Sequence, residues 1–171
     1  MREKLVREAT GLIEFCRERN VMIATAESCT GGLLAAYLTH VAGASHVLER
    51  GFVTYSNEAK HDLLGVDAGM LAEFGAVSRE VALAMAAGAL WRSRAGISAA
   101  ITGIAGPGGG TAKKPVGLVH FAVAKRMSVS AEQLDFRAIH HEEQFGDIGR
   151  SEVREESVRT ALTLLRQAME L

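Results

Sequence analysis

Two kinds of segment alternate along this chain, and the alternation constrains the fold more than any other feature of the sequence. Short apolar runs, partly β-branched, predict buried strands at 21–26, 48–55 and 97–104. Around them, apolar residues recur at helical spacing. The predicted helices cover 2–19, 30–40, 57–65, 67–74, 78–93 and 151–170. Strands alternating with helices indicate an α/β fold, a three-layer α/β/α sandwich.

Two further strands are predicted at 116–124 and 128–139, where apolar and polar residues alternate. This alternation fits an antiparallel pair, and the two strands are predicted to be joined by a tight turn at 125–127. With the earlier strands they give a mixed, mostly parallel sheet of about five strands. A length of 171 residues fits one domain over 1–171.

Composition disfavours several classes of partner. The net charge is −1 and aromatic residues make up 5%, so the basic, aromatic-rich stripe of a nucleic-acid surface is missing. No apolar run approaches the roughly 20 residues of a membrane span. Cys16 and Cys29 provide no disulfide framework, and the first residues do not resemble a signal peptide. We therefore expect a cytoplasmic protein with no nucleic-acid or membrane partner, whose ligands are small molecules or proteins.

No metal ion or cofactor is expected. The six histidines lack the i, i+4 pairing of a helical zinc site. His140 and His141 are predicted in a polar turn, and adjacent residues cannot easily share one ion. The Gly-rich loop 105–115 matches neither a phosphate-binding Walker loop nor a dinucleotide fingerprint. It is predicted to be either a mobile cover over a substrate or a flexible connection.

Polar residues follow three of the predicted strands. Ser28 comes after the first, Tyr55 and Lys60 after the second, and Thr102 after the third. Ligands of open α/β sheets gather at the carboxyl ends of strands, so we expect these residues to converge.

Ser28 has two possible roles. Gly31 and Gly32 allow close approach to the backbone, and free N–H groups before the next helix favour a phosphate or a developing oxyanion. This setting suits a serine nucleophile. Alternatively, Ser28 and Thr30 only cap the helix, and the local residues by themselves favour capping.

A serine nucleophile needs a base, and no Ser-His-Asp arrangement is evident. Lys60, with Tyr55 close in sequence, is a possible base if burial or nearby cations depress its pKa. An ordinary solvated lysine is the alternative. Cys29 is a rival nucleophile, since thiols at helix amino ends are more reactive, or it is a small buried residue.

Arg150 and Arg154 fall at the start of the last helix, where positive charge opposes the helix dipole. This placement suggests an anionic ligand or partner, and a solvated helix face is the alternative.

Taken together, the segments 25–32, 51–60, 75–86, 102–124 and 149–158 resemble the CinA C-terminal domain family. The resemblance runs over nearly the whole chain and in order. It implies a metal-independent amidase that hydrolyses nicotinamide mononucleotide to nicotinic acid mononucleotide and ammonia in pyridine-nucleotide salvage. It also implies a three-layer α/β/α domain that forms a homodimer or a higher homo-oligomer.

The resemblance assigns catalytic roles to Ser28, Tyr55, Lys60 and Thr102. Substrate-binding roles fall on Thr30, Gly31, Gly32, Gly106 and Arg150, although 145–149 departs slightly from the family's commoner Gly-Asp-Arg pattern. Since the chain begins at the first helix of the amidase unit, the stand-alone form of the family is expected. Two alternatives stay open: a non-catalytic nucleotide-sensing module and a protein-interaction domain linked to competence or DNA damage.

Overall fold

The computed structural model describes residues 2–129 and 134–170. Each predicted helix and strand is present there, which confirms the α/β class. In chain order the elements are α1 Glu3–Glu18, β1 Ile23–Glu27, α2 Leu33–Thr39, β2 Leu48–Val53, α3 Asn57–Leu64, α4 Ala68–Phe74, α5 Arg79–Trp91, β3 Ile97–Gly103, β4 Leu118–Val129, β5 Leu134–Gln144 and α6 Arg150–Glu170.

The five strands form one sheet in the order β2-β1-β3-β4-β5. β1 pairs in parallel with β2 and β3, whereas β4 is antiparallel to both of its neighbours. Four strands therefore point the same way, and the predicted mixed, mostly parallel sheet is confirmed. The carboxyl ends of β1, β2 and β3 meet at one edge, where the candidate site residues follow.

Successive residues of a strand point to opposite faces of the sheet. The two faces carry side chains of different size. On one face, large residues such as Ile23, Ile97 and Phe121 pack against α1, α2 and α6. On the other, the larger Phe52 is only partly buried, and the buried apolar residues of the sheet are all alanines: Ala24, Ala26, Ala100, Ala122 and Ala124. Helices thus cover both faces, as the three-layer prediction requires.

Small residues let α5 lie close to the sheet and to α3. Ala82, Ala86 and Ala89 of α5 are fully buried. Gly88 faces the end of α3, where an added Cβ would overlap the carbonyl oxygen of Leu64. The contact between α5 and the carboxyl end of α3 is therefore backbone against backbone.

The predicted turn at 125–127 is wrong, because β4 continues to Val129. Lys125 and Arg126 pair with Arg137 and Phe136 of β5. The Arg126 guanidinium also donates a 2.7 Å hydrogen bond to the carbonyl of Leu90, so a charged side chain is accommodated within a strand. The connection between the two strands, 130–133, lies outside the described residues.

One smaller prediction is also corrected, since His140 and His141 lie within β5 and not in a turn. Trp91, the last residue of α5, is 63% exposed. Ser56 caps α3, and its hydroxyl accepts the N–H of Ala59 at 3.0 Å.

No helix in the described ranges is both long and apolar enough to cross a membrane.

Candidate active site

The central feature of the site is a serine–lysine pair. Lys60 Nζ lies 3.1 Å from Ser28 Oγ and donates a 2.8 Å hydrogen bond to the carbonyl of Thr54. Ser28 directly follows β1, and Lys60 lies in the first turn of α3, which follows β2. Because β1 and β2 are parallel neighbours, their carboxyl ends bring together residues 32 positions apart. The predicted convergence of Ser28 and Lys60 is confirmed.

Lys60 is not a solvated lysine. It is 1% exposed, and burial lowers the pKa of its ammonium group because the charged form loses its hydration. Across residues 2–129 and 134–170, no carboxylate forms an ion pair with it. A lysine in this setting releases its proton more readily than one in water, so it can serve as a base.

Cys29, in contrast, is held in its unreactive form. Its side chain is 6% exposed, and burial raises the pKa of the thiol to about 12. The thiol is therefore protonated at neutral pH, whereas the nucleophilic form of cysteine is the thiolate. It follows that Cys29 is a buried neighbour of the reacting pair and does not compete with Ser28.

For the amidase activity that the family resemblance implies, we expect the Cys29→Ala variant to stay within about threefold of the unchanged protein, since Ser28 and Lys60 are left in place. The measurement is kcat/KM for carboxamide hydrolysis, with circular dichroism to verify folding. A folded Cys29→Ala protein that loses activity a hundredfold would contradict this role.

The turn that carries Ser28 is not built as the sequence suggests. α2 begins at Leu33, so neither Ser28 nor Thr30 caps it. The carboxylate of Glu27 instead accepts the N–H groups of Leu34 and Ala35, at 3.0 and 2.9 Å. The capping alternative for Ser28 is therefore wrong, and its hydroxyl is free to face Lys60.

The backbone around Ser28 leaves some donors free. The Ser28 N–H donates to the carbonyl of Ile101 at 2.9 Å, and the Gly31 N–H donates to the Ser28 carbonyl at 3.0 Å. The N–H groups of Thr30 and Gly32 have no hydrogen-bond partner in the part of the chain that the structure describes. Thr30 and Gly32 do not line the cleft that opens above the serine, and Thr30 is 0% exposed, so neither donor is placed to meet a developing oxyanion there.

A cleft of about 280 Å³ opens above the serine–lysine pair. It contains all four predicted catalytic residues together with Gly106 and Arg150, whereas Thr30, Gly31 and Gly32 do not line it. The lining residues are Ser28, Cys29, Tyr55, Asn57, Lys60, Ala76, Val77, Thr102, Gly103, Ile104, Ala105, Gly106, Gly108, Gly109 and Arg150.

Arg150 spans the mouth of this cleft. Its guanidinium donates to the Tyr55 hydroxyl at 2.6 Å and to the Gly106 carbonyl at 2.8 Å. Tyr55 is 58% exposed, so this contact lies near solvent. The hydrogen-bond partner of the Tyr55 hydroxyl is therefore Arg150 and not Lys60. The structure thus connects Tyr55 to Arg150 and not to the base, in contrast to the expected Lys60–Tyr55 network.

Thr102 and Gly106 shape the wall of the cleft. The buried Thr102 hydroxyl donates to the carbonyl of Ala76 at 2.7 Å, which holds the segment before α5 against the end of β3. Gly106 has a φ of +79°, and a Cβ there would lie 2.7 Å from Val116 Cγ1. Only glycine fits this conformation without displacing Val116, and it presents its carbonyl to Arg150.

The chain was also compared with known proteins. The family model described as CinA C-terminal domain matches residues 6–169. The chain belongs to the CinA C-terminal domain family. This confirms the resemblance inferred from the sequence.

Relatives of this CinA-type domain agree in sequence and in fold. A CinA-like protein of Mycolicibacterium gilvum is 55% identical over 147 residues, which cover 86% of this chain and 33% of that protein. The chain spans about a third of that curated relative's length. The crystal structure of competence/damage inducible protein CihA from Agrobacterium tumefaciens has a TM-score of 0.91 and 51% identity, covering 98% of this chain and 96% of that one. A CinA superfamily protein from Escherichia coli has a TM-score of 0.85 and 32% identity, covering 98% and 93%.

Two residues of this CinA-type site have structural contacts that the sequence reasoning missed. Glu27 caps α2 from the end of β1, and Arg154 donates a 2.7 Å hydrogen bond to the carbonyl of Thr30. The sequence did contain a signal for Glu27: it is a carboxylate at the end of an otherwise apolar strand, and buried carboxylates require partners. For Arg154 the sequence suggested an anionic ligand or partner, whereas its contact is with the backbone of the serine turn.

Among the described residues, no group of three or more potential ligand side chains is placed to hold a metal ion.

Proposed function

We propose that this CinA-type domain is an amidase that hydrolyses the carboxamide of nicotinamide mononucleotide, giving nicotinic acid mononucleotide and ammonia. The observation that carries the proposal is the buried Ser28–Lys60 pair, with 3.1 Å between the oxygen and the nitrogen. A serine beside a lysine of lowered pKa is an activated nucleophile of the kind that acyl-transfer enzymes use. The names of the relatives do not specify a reaction, so the proposal depends on this geometry and on the resemblance.

In the first half of the reaction, neutral Lys60 accepts the Ser28 proton as the oxygen attacks the carboxamide carbon. The new C–O bond makes a tetrahedral intermediate, and the carbonyl oxygen becomes an oxyanion inside the cleft, which we expect backbone N–H groups at its wall to stabilise. Lys60 then delivers the proton to the amide nitrogen. The C–N bond breaks, ammonia leaves, and the nicotinoyl group remains as an ester on Ser28.

In the second half, water replaces ammonia. Lys60 takes a proton from the attacking water, and a second tetrahedral intermediate forms. When the ester C–O bond breaks, the proton returns to Ser28 Oγ and the carboxylic acid product leaves. Lys60 ends neutral, so one residue serves both steps without a net change in charge.

Arg150 and the Gly-rich loop are placed to hold the phosphoribosyl part of the substrate. Arg150 is exposed at the cleft mouth, and a guanidinium has five N–H donors in a geometry that matches phosphate oxygens. Tyr55 and Thr102 would then orient the substrate from the wall, Tyr55 through Arg150 and Thr102 through the segment at Ala76.

The experiment that tests the proposal is an ammonia-release assay with nicotinamide mononucleotide and nicotinamide riboside in parallel. We expect release from the mononucleotide, and a kcat/KM at least about tenfold lower for the riboside, which lacks the phosphate that Arg150 binds. Binding of the mononucleotide without any ammonia would contradict the amidase proposal and favour the nucleotide-sensing alternative.

The homodimer, the cytoplasmic location, the single domain over 1–171 and the absence of nucleic-acid and membrane partners stay predictions from the sequence. So do the independence from metal ions and cofactors and the substrate-binding roles of Thr30, Gly31 and Gly32.

A further inference from the structure

A buried carboxylate stands directly before the nucleophile. Glu27 is 0% exposed, and its two oxygens accept the N–H groups of Leu34 and Ala35. The bonds span seven and eight residues of sequence and enclose the Ser28 turn. Unlike an ordinary helix cap, the side chain comes from the preceding strand and closes the whole segment between β1 and α2.

The partners of Glu27 are unusual for a buried charge. No Lys, Arg or His side chain forms an ion pair with it within residues 2–129 and 134–170, and its described hydrogen-bond donors are backbone N–H groups at the start of α2. A buried charge is costly unless it is compensated. The two backbone N–H groups and the positive end of α2 supply that compensation, so the charge of Glu27 is satisfied by the segment that it holds.

We propose that Glu27 is a positioning residue: its carboxylate, buried and outside the lining of the cleft, fixes the Ser28 turn on α2 and so sets the position of Ser28 Oγ relative to Lys60. The inference rests on the proposed amidase function. The turn is also held by the bond from the Ser28 N–H to Ile101 and by the bond from Arg154 to Thr30. Loss of the Glu27 bonds therefore loosens the turn without removing it.

The kinetic test is the Glu27→Gln variant, which has the same size but no charge and only one acceptor for the two N–H groups. We expect kcat to fall about 10- to 100-fold, because a displacement of about 1 Å at a reacting group is enough for such a loss. KM for nicotinamide mononucleotide should stay within threefold, which a general loss of structure would not spare. Glu58→Gln is the matched control, since it removes one negative charge from an exposed position two residues from Lys60 and should leave kcat unchanged.

The binding test does not depend on turnover. Titration calorimetry gives Kd for nicotinamide mononucleotide in the unchanged protein and in Glu27→Gln. Because Glu27 is buried and does not line the cleft, we expect Kd to stay within threefold. A Kd weakened at least tenfold in folded Glu27→Gln would mean that the residue supports substrate binding in general, and that result would overturn the proposal.

The outcomes separate this proposal from the amidase function. If the unchanged protein binds the mononucleotide but releases no ammonia, the amidase function fails, and the positioning role, which rests on it, fails with it. If ammonia is released and Glu27→Gln keeps its kcat, the positioning role fails and the amidase stands. If Glu27→Gln does not fold, Glu27→Asp is the second variant. It keeps the charge, but its side chain is one methylene shorter, so the carboxylate lies farther from the N–H groups of α2. We expect the same loss of kcat at constant KM, and an unchanged kcat overturns the positioning role.

Discussion

Ammonia release from nicotinamide mononucleotide is expected to fall by about 10²- to 10⁴-fold in the Lys60→Met variant, the range typical of a lost general base. Methionine fills much of the space of the buried lysine stem but cannot accept the Ser28 proton. The loss should appear in kcat and kcat/KM alike, because the proton transfer belongs to the transition state. The measurement is steady-state kinetics on protein whose circular dichroism is unchanged.

Lys60→Arg is the sharper control for this residue. Arginine keeps the positive charge and the donors toward Thr54, yet it does not deprotonate in proteins. If Lys60 acts as a base, the arginine variant should be as inactive as the methionine variant. If Lys60 only contributes a positive charge or a hydrogen bond, the arginine variant should keep substantial activity, and our assignment would be wrong.

The pH dependence follows from the same lowered pKa. The reactive form of Lys60 is the neutral amine, so kcat/KM should rise with pH through a limb whose midpoint lies below the ordinary value of 10.5. The free energy of unfolding should also rise with pH over this range. Burial disfavours the ammonium in the folded state, so the unfolded chain binds more protons between the two pKa values. The cost of burying Lys60 is thus largest below its folded pKa and disappears above 10.5.

The second large effect is expected for Ser28→Ala, which should lower kcat on the order of 10⁴-fold or more, as removal of the nucleophile does in serine hydrolases. Ser28 is nearly buried, and its Oγ is described in contact with Lys60 alone. The variant should therefore fold and still bind nicotinamide mononucleotide with a Kd close to that of the unchanged protein.

Binding without turnover in Ser28→Ala is informative in two ways. It supplies a stable complex for locating the substrate, and it separates the enzyme from the sensing module. A sensing module would bind the nucleotide equally well in both proteins and release no ammonia from either. Residual activity within tenfold of the unchanged chain would exclude Ser28 as the nucleophile.

Much of the fold is readable from local pattern. Buried strands such as 97–103 are short and apolar, and helices such as α6 repeat their apolar residues at helical spacing, so each is determined largely by nearby residues. The convergence of Ser28 and Lys60 was predictable as well, because parallel neighbouring strands end at the same edge.

The errors occur where distant contacts decide the outcome. The helix after Ser28 begins at Leu33 and not at Thr30, because Glu27 supplies the cap from the strand. The partner of Tyr55 is Arg150, which lies 95 residues away in sequence. No local periodicity encodes such bonds. They depend on how the elements pack, and that packing is fixed only once the sheet is assembled.

The contact between Gly88 and Leu64 has a mechanical consequence for the reacting pair. Lys60 is carried by a helix of eight residues, capped at one end by Ser56 and pressed at the other against the backbone of α5. Because α3 is only eight residues long, a shift of its carboxyl end against α5 would also move the Lys60 amine relative to Ser28. We therefore expect a side chain at position 88 to change the distance between Ser28 and Lys60, although Gly88 does not line the cleft.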